Sequence, residues 1–342
     1  MNPLNQIILA IESSCDETAA AIYSSSQGLL SNEIISQISS HAKFGGVIPE
    51  VASKEHMKNI ITITEQALEI AKTSFQEIDI VAVTHKPGLP GSLMIGVSFA
   101  KAIAYTGSKK IIGIDHLQGH IFSACLENSV SFPFLSLTVS GGHTALYIVH
   151  NFEKYEIIGY SLDDAAGEAF DKIAKLMNLP YPGGPIIENL AQTKNFQDFF
   201  AYPRSAKKNL NFSFSGLKTA VLYDMVKKNA YDLSTKTFLK QNDIDFQAKV
   251  ASSLLCCITD IFEQKIALAL QQYPSIKSVC FVGGVACNKY LRSRLQSFLN
   301  NKQIPLFFPS PKLCTDNAGM IAFVAYQKAQ QKRFDNFSLG IL

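Results

Sequence analysis

No CxxC pair occurs among the seven cysteines, which fall at positions 15, 125, 256, 257, 280, 287 and 314. The set is odd in number and two of its members are chain neighbours, so it reads as reduced, mostly buried thiols rather than a disulfide framework. No basic residue precedes the short apolar run of MNPLNQIILAIESS, which argues against a signal peptide. Nor does any apolar stretch approach the roughly 20 residues that span a bilayer. The expectation is a soluble, cytoplasmic protein with no membrane partner. Charge is scarce as well, at 17% of residues, and 31 basic against 28 acidic side chains leave a net +3. That balance permits a nucleic-acid partner without indicating one.

Apolar material is abundant. Hydrophobic residues make up 47% of 342, which excludes disorder; the length predicts two domains, and the alternation of strand and helix patterns that follows makes the class α/β. The isoleucine-rich NQIILAIESS, then AAAIYSS and GLLSNEIISQ, read as three consecutive strands. From Pro49 to about Phe75 the spacing turns helical, and IDIVAVTH is again a buried strand. GSLMIGVSFAKAIAYTG reads as a helix, and KKIIGIDHL as a strand feeding a further helix. From Phe132 the plan restarts. Sliding the chain by 126 positions lays LAIESSCDETAAAI over LSLTVSGGHTALYI, matching Leu9 with Leu135, Ser14 with Ser140, Thr18 with Thr144 and Ala19 with Ala145. Each copy is strand, small-residue turn, strand, as expected of a duplicated fold. Two such halves would present the turns SSCDET and VSGGHT on facing walls of a nucleotide cleft. In the second half, helices are expected from Asp164 to about Met177, near 215–229 and over 243–272. SIKSVCFVGGVACNKYLRSRL then reads as strand, glycine turn, helix, and NAGMIAFVAYQKAQQK as a closing helix. The domains are read as 1–129 and 130–342, with the last helix, about 317–333, able to pack back on the first lobe.

Chemistry concentrates in a few motifs. IDHLQGH carries His116 and His120 at a spacing of one helical turn, so both can face one metal ion, although an ordinary hydrogen-bonded pair explains the same spacing. The zinc-protease pattern HExxH is absent, because Leu117 stands where its glutamate would be. CTDNAG offers Asp316 as a third ligand, or else as a helix N-cap. Two imidazoles and one carboxylate suit iron(II) with coordination positions left for substrate; a cleft collecting residues from both lobes would unite them. VSGGH and FVGGVACN are glycine turns at the carboxyl ends of strands, where open α/β sheets bind ligands. Asn288, just beyond the second turn, could reach an adenine edge. DDAAGEAFDKIAK sets Asp164, Glu168 and Asp171 on one helix, either as a solvated acidic face or as ribose ligands. Glu188, one turn after Gly184, offers a second ribose contact. HAKFGGVIPEVASKEH places His41 and His56 around what reads as a surface loop with a helix start at Pro49. In PRSAKKNLNFSFSGLK the basic Arg204, Lys207, Lys208 and Lys218 lie among Phe212 and Phe214. That mixture suits RNA stacking or a loop that caps a core.

Together, IESSCDET, HAKFGGVIPE, KPGLPGSLMIG, DHLQGH, VSGGHT, DDAAGEAFDK, YPGGP, FSFSGLKTA, GGVACN and CTDNAGMIA resemble the universal tRNA threonylcarbamoyl-adenosine transferase family, once described as a glycoprotease. The resemblance runs from about residue 7 to residue 330. It implies the duplicated actin-like, sugar-kinase-like and heat-shock-ATPase-like fold of the ribonuclease H type. It also implies transfer of a threonylcarbamoyl group from L-threonylcarbamoyladenylate to N6 of adenosine 37 in tRNAs reading codons that begin with A, releasing AMP. The family's metal ligands fall on His116, His120 and Asp316, implying one Fe(2+) per subunit, with zinc or another divalent ion as the alternative. Its substrate-binding residues fall on Thr138, Val139, Ser140, Gly141, Gly142, Asp171, Gly184, Glu188 and Asn288. Implied partners are tRNA, a smaller paralogous TsaB-like subunit and a separate TsaE-like ATPase. Two departures are visible: Gln118 where many relatives have glutamate, and Lys86 where many have glycine. No general base is read from the chain. Other readings are an ATP-binding assembly module of the same fold and, against the missing HExxH, a metalloprotease.

Overall fold

The computed structural model of the chain describes residues 5–204 and 209–341. β1 (Ile7–Glu12) is nearly all aliphatic and buried on both faces, as expected of a strand with helices above and below it. It pairs antiparallel with β2 (Glu17–Ser24), which pairs antiparallel with β3 (Gly28–Ser36). After α1 (Ile38–Ala42) and α2 (Pro49–Ala71), β4 (Ile80–Lys86) lies parallel to β1 on its other side. α3 (Pro90–Thr106) leads to β5 (Lys110–Asp115), parallel to β4, and α4 (His116–Ser123) follows at once. The sheet order is β3-β2-β1-β4-β5.

The second sheet repeats the first. β6 (Phe134–Val139), β7 (Thr144–Val149) and β8 (Tyr155–Tyr160) form the antiparallel hairpins. α5 (Ala166–Leu176), α6 (Gly183–Gln192), α7 (Ser215–Lys227), the hairpin β9 (Tyr231–Asp232) and β10 (Thr237–Phe238), and α8 (Ile244–Gln272) follow. β11 (Ser278–Val282) then lies parallel to β6, and after α9 (Lys289–Asn300) β12 (Leu306–Phe307) lies parallel to β11. The order is β12-β11-β6-β7-β8, the first sheet's pattern read from its other edge. Even the register is conserved under the 126-residue offset. Ile11 faces Ala20 as Leu137 faces Leu146, and Glu12 faces Ala19 as Thr138 faces Ala145.

After β12 the chain adds α10 (Pro311–Cys314) and α11 (Ala318–Gln330). Contacts divide it into two units, one of residues 1–129 with 309–342 and one of residues 130–308. In the first unit Leu9, Ile11, Val81 and Val83 join α2 and α3 in one hydrophobic cluster. Because strand side chains alternate, Ala10 and Glu12 face the opposite side, where α11 and α4 pack. Asp335, beyond α11, forms an antiparallel bridge with Ile111 at the β5 edge.

Candidate functional site

The paired histidines owe their position to the end of β5. Asp115 stops the strand and caps α4 by accepting from the Leu117 and Gln118 backbone N–H groups at 2.9 and 3.2 Å. The helix therefore begins at His116, and His120 lies one turn along the same face. Their ring centroids are 4.7 Å apart and nearly perpendicular. Asp316 arrives on the segment between α10 and α11. It is not the helix cap, because the Asn317 side chain takes that task by accepting from Met320 N. Its carboxylate is left to the imidazoles: Oδ1 is 3.0 Å from His120 Nε2 and 3.4 Å from His116 Nε2. All three residues belong to the first unit, so one unit completed by the returning chain assembles the group, rather than a collection from both lobes.

Behind His116 lies Glu12, which sequence reasoning missed. Its side chain is wholly buried at the end of β1. One oxygen accepts from Ser14 N at 2.6 Å, and the other takes the Thr84 hydroxyl and lies 3.1 Å from His116 Nδ1. The Ser14 hydroxyl is also 3.0 Å from that nitrogen. A carboxylate only accepts, so His116 Nδ1 carries a proton and, in the neutral ring, Nε2 carries the lone pair. Among the described residues His120 Nδ1, though buried, has no hydrogen-bond partner.

These contacts test the centre for a cation. Ligand atoms of His116, His120 and Asp316 all lie within 4.8 Å of one another. A neutral His116 would turn its Nε2 lone pair on a carboxylate oxygen, which is tolerable only with a proton or a cation between them. Burial opposes charging His116, but Asp316 and Glu12 outweigh it and hold its pKa well above the usual histidine value. Burial likewise opposes ionising Asp316 and Glu12, yet His116 leaves both below the ordinary carboxylate range. Two imidazole nitrogens and a carboxylate oxygen, with one imidazole backed by a second carboxylate, are a fitting donor set for a divalent transition metal.

The second unit carries the remaining candidates. VSGGH closes the β6–β7 hairpin: Ser140 N donates to His143 O, and Gly141 and Gly142 are exposed. Thr138 and Val139 are buried strand residues beneath the turn. Gly283, at the end of the adjacent β11, has φ +91°, and a Cβ there would overlap the Val139 carbonyl oxygen. A Cβ on Gly167 would overlap the Ser140 carbonyl oxygen, so the start of α5 abuts the same turn. Asp171 accepts from Gly183 N at 2.7 Å, and burial pushes its pKa up. Gly184 follows in the first turn of α6. One oxygen of Glu188 accepts from Lys289 N and Tyr290 N at 2.7 and 3.2 Å, and Asn288 Oδ1 accepts from Leu291 N at 2.9 Å. Thus Glu188 and Asn288 cap α9 while bordering the glycine turn that precedes it.

Several expectations need correction. α5 starts at Ala166, so Asp164 precedes the helix that carries Glu168 and Asp171; both Asp164 and Glu168 pair with Lys172, at 2.7 and 2.8 Å. His41 and His56 are fully buried, not parts of a surface loop. Phe212 and Phe214 are fully buried against Phe262, which removes them as stacking platforms for RNA. Arg204 is tied to Asp198 and Asp260, and Lys218 lies in α7, its backbone N–H donating to the Phe214 carbonyl at 3.1 Å, while Lys207 and Lys208 lie outside the described residues. No helix among the described residues is long and apolar enough to cross a membrane.

Comparison with known proteins adds sequence and fold relationships. The profile of the TsaD family, tRNA N6-adenosine threonylcarbamoyltransferase, matches residues 28–323. A curated protein of that name from Geotalea uraniireducens is 46% identical over 317 residues, spanning 92% of this chain and 89% of its own length. Another, from Staphylococcus haemolyticus, is 44% identical over 322 residues, spanning 94% and 90%. Among solved structures, full-length HypF in its phosphate- and nucleotide-bound form superposes with a TM-score of 0.62 at 13% identity, over 94% of this chain and 46% of that one. Component A of the (R)-2-hydroxyglutaryl-CoA dehydratase of Acidaminococcus fermentans gives 0.54 at 15%, over 95% and 99%. These two likenesses show the fold, a duplicated α/β architecture of the actin-like and sugar-kinase type.

Proposed function

We propose, from the premise that this chain belongs to the tRNA N6-adenosine threonylcarbamoyltransferase family and is a transferase of that tRNA modification, how its residues share the work. The threonylcarbamoyl group comes from L-threonylcarbamoyladenylate. N6 of adenosine 37 attacks its carbamoyl carbon, the bond from that carbon to the phosphate oxygen breaks, AMP leaves, and one proton departs from N6. The donor is already a mixed anhydride with a good leaving group, so positioning and electrostatic stabilisation are the main demands on the protein.

In the first unit, His116, His120 and Asp316 would hold a divalent cation, which we propose to be iron(II), with zinc as the alternative. Such a cation, when bound, supplies Lewis-acid stabilisation of charge on the acyl oxygen. Glu12 and Ser14 fix the His116 tautomer and aim its Nε2. The observation that carries this assignment is the convergence of both Nε2 atoms on one Asp316 oxygen.

In the second unit we assign the nucleotide portion to Thr138, Val139, Ser140, Gly141, Gly142, Asp171, Gly184, Glu188 and Asn288. The exposed Gly141 and Gly142 leave backbone N–H groups open to a phosphate without a side chain in the way. Glu188 spends one oxygen on α9 and offers the other to a ribose hydroxyl. Asn288 spends its carbonyl oxygen on the cap, so its NH2 is the group for an adenine acceptor. The base to be modified must be unstacked before N6 can reach the donor. We further assign the chain to the cytoplasm with its tRNA substrate, working with a smaller paralogous subunit and a separate ATPase, as the family resemblance implies.

The deciding experiment incubates the purified chain, with those partners, with L-threonylcarbamoyladenylate and unmodified tRNA, and analyses the digested nucleosides by mass spectrometry. N6-threonylcarbamoyladenosine should appear only when this chain is present. Its absence with active partners would remove the assignment.

A further inference from the structure

His56 stands outside the donor set, on α2, yet it reaches the turn that borders the centre. Its side chain is wholly buried and both ring nitrogens are engaged. Nε2 is 2.9 Å from the Cys15 carbonyl oxygen, and Nδ1 is 2.8 Å from Thr18 Oγ1. A carbonyl oxygen only accepts, so Nε2 carries the proton; in the neutral ring Nδ1 then accepts from the Thr18 hydroxyl. Burial holds the ring's pKa below the usual histidine value, which maintains that neutral form.

The two partners bracket Asp16 and Glu17, so the imidazole staples the turn from both sides. Further back, Gln37 Nε2 lies 3.4 Å from His56 Nδ1 and donates to Ala52 O at 3.4 Å, while His41 Nε2 lies 3.1 Å from Gln37 Oε1. At the front, the turn's first residue, Ser14, touches His116 Nδ1. Leu89 N donates to the Ser14 carbonyl at 2.8 Å. A leucine would fill the space of His56 without the cost of burying two polar nitrogens. The chain instead commits both nitrogens to one short turn beside the metal centre.

Resting on the transferase reading above, we propose that His56 is a positioning residue of the transfer reaction, clamping the Cys15 carbonyl and the Thr18 hydroxyl so that the Ser14–Glu17 turn keeps its place against His116 and Asp316. The consequence is a residue whose loss lowers turnover without removing the metal, because no ligand is attached to it.

Three variants, measured with the full chain, its partners, tRNA and the adenylate, test this. His56→Gln retains an N–H donor near Nε2 for the Cys15 carbonyl. His56→Asn retains an acceptor near Nδ1 for Thr18 but loses the carbonyl tether, and His56→Ala loses both. Misplacing a reacting arrangement by about 1 Å can cost on the order of 100-fold, so His56→Asn and His56→Ala should lose about 10- to 100-fold in kcat, and His56→Gln about threefold or less. KM for the adenylate and metal content should match the parent chain. If His56→Ala does not fold, the contrast between Gln and Asn decides. Equal kcat in Gln and Asn variants, or full kcat per folded molecule in both, overturns the proposal. An inactive parent chain with active partners would remove the transferase reading and this inference with it, whereas an active parent with unaltered variants removes the inference alone.

Discussion

Glu12 follows five aliphatic residues on β1 and ends with no exposed surface, an expensive place for a carboxylate. Three donors offset that cost, and one of them is the His116 ring. A carboxylate behind a ligating imidazole fixes its tautomer and raises its basicity, and loss of such a partner weakens metal binding by about 10- to 100-fold. Glu12→Gln should lower metal affinity by that amount, as read by competition with a chelator at alkaline pH. Unchanged affinity would show that Glu12 serves only the packing of β1. Protonation gives a second readout. In the metal-free protein the pKa of His116 is raised, so below that value a proton must be displaced before Nε2 can ligate, and above it the lone pair is free. Affinity should therefore climb with pH through that value, by up to about tenfold per pH unit for each proton displaced. Glu12→Gln removes one of the two carboxylates that hold the proton, and the climb should level off at lower pH. His116 and His120 were legible in the sequence because helical spacing alone puts them together. Glu12 was not, since its partner arrives from β5 and α4, more than a hundred positions along the chain.

Strands and most helices were legible from local pattern, and the 126-residue offset correctly anticipated a duplicated plan whose register the two sheets share. Capping from a distance was not legible. The residue at the N-cap of α7 is Phe214, which has no acceptor to offer. Asp163 supplies it instead, accepting from Phe214 N at 2.7 Å and Ser215 N at 3.1 Å, and from the Ser213 and Ser215 hydroxyls. Partial desolvation raises its pKa, but those bonds outweigh it and hold the carboxyl below its ordinary value. The same tether draws FSFSG inward: Phe212 and Phe214 stack with centroids 6.1 Å apart, and Phe262 meets them edge-on at 6.0 and 6.4 Å. Of the two readings that the basic and aromatic composition leaves open, RNA stacking or a loop that caps a core, the buried rings agree with the second; composition alone cannot decide because it does not say which way a ring points. Phe214→Ala should cost about 3–5 kcal/mol of stability, seen as a lower denaturant midpoint. A variant that instead lost tRNA affinity at unchanged stability would restore the stacking role.

At the scale of the whole chain, the segment 309–342 is remote from residues 1–129 in sequence and joined to them in space. The restart near Phe132 is visible as a repeat, and the closing helix reads as able to pack back on the first lobe, but no local pattern encodes where the return begins, after Phe308. What drives it is apolar area. Met320, Ile321, Ala322 and Val324 are buried, and α11 packs against α4, β1 and β2. Burying a Met, Ile or Val side chain stabilises by roughly 1.5–3 kcal/mol, so removal of the segment would cost an amount comparable to the whole margin of about 5–15 kcal/mol by which a domain is usually stable. It would also delete Asp316. Residues 130–308, by contrast, make up their unit without any segment from elsewhere in the chain. Expressed alone, 130–308 should unfold cooperatively in denaturant, while 1–129 should give no cooperative transition and no metal uptake. Adding a 309–342 peptide should restore both to 1–129, with the metal following the peptide's Asp316 and not returning with an Asp316→Ala peptide. A cooperative transition in 1–129 alone, equal to that of the complemented fragment, would mean that the returning segment only decorates a unit already complete.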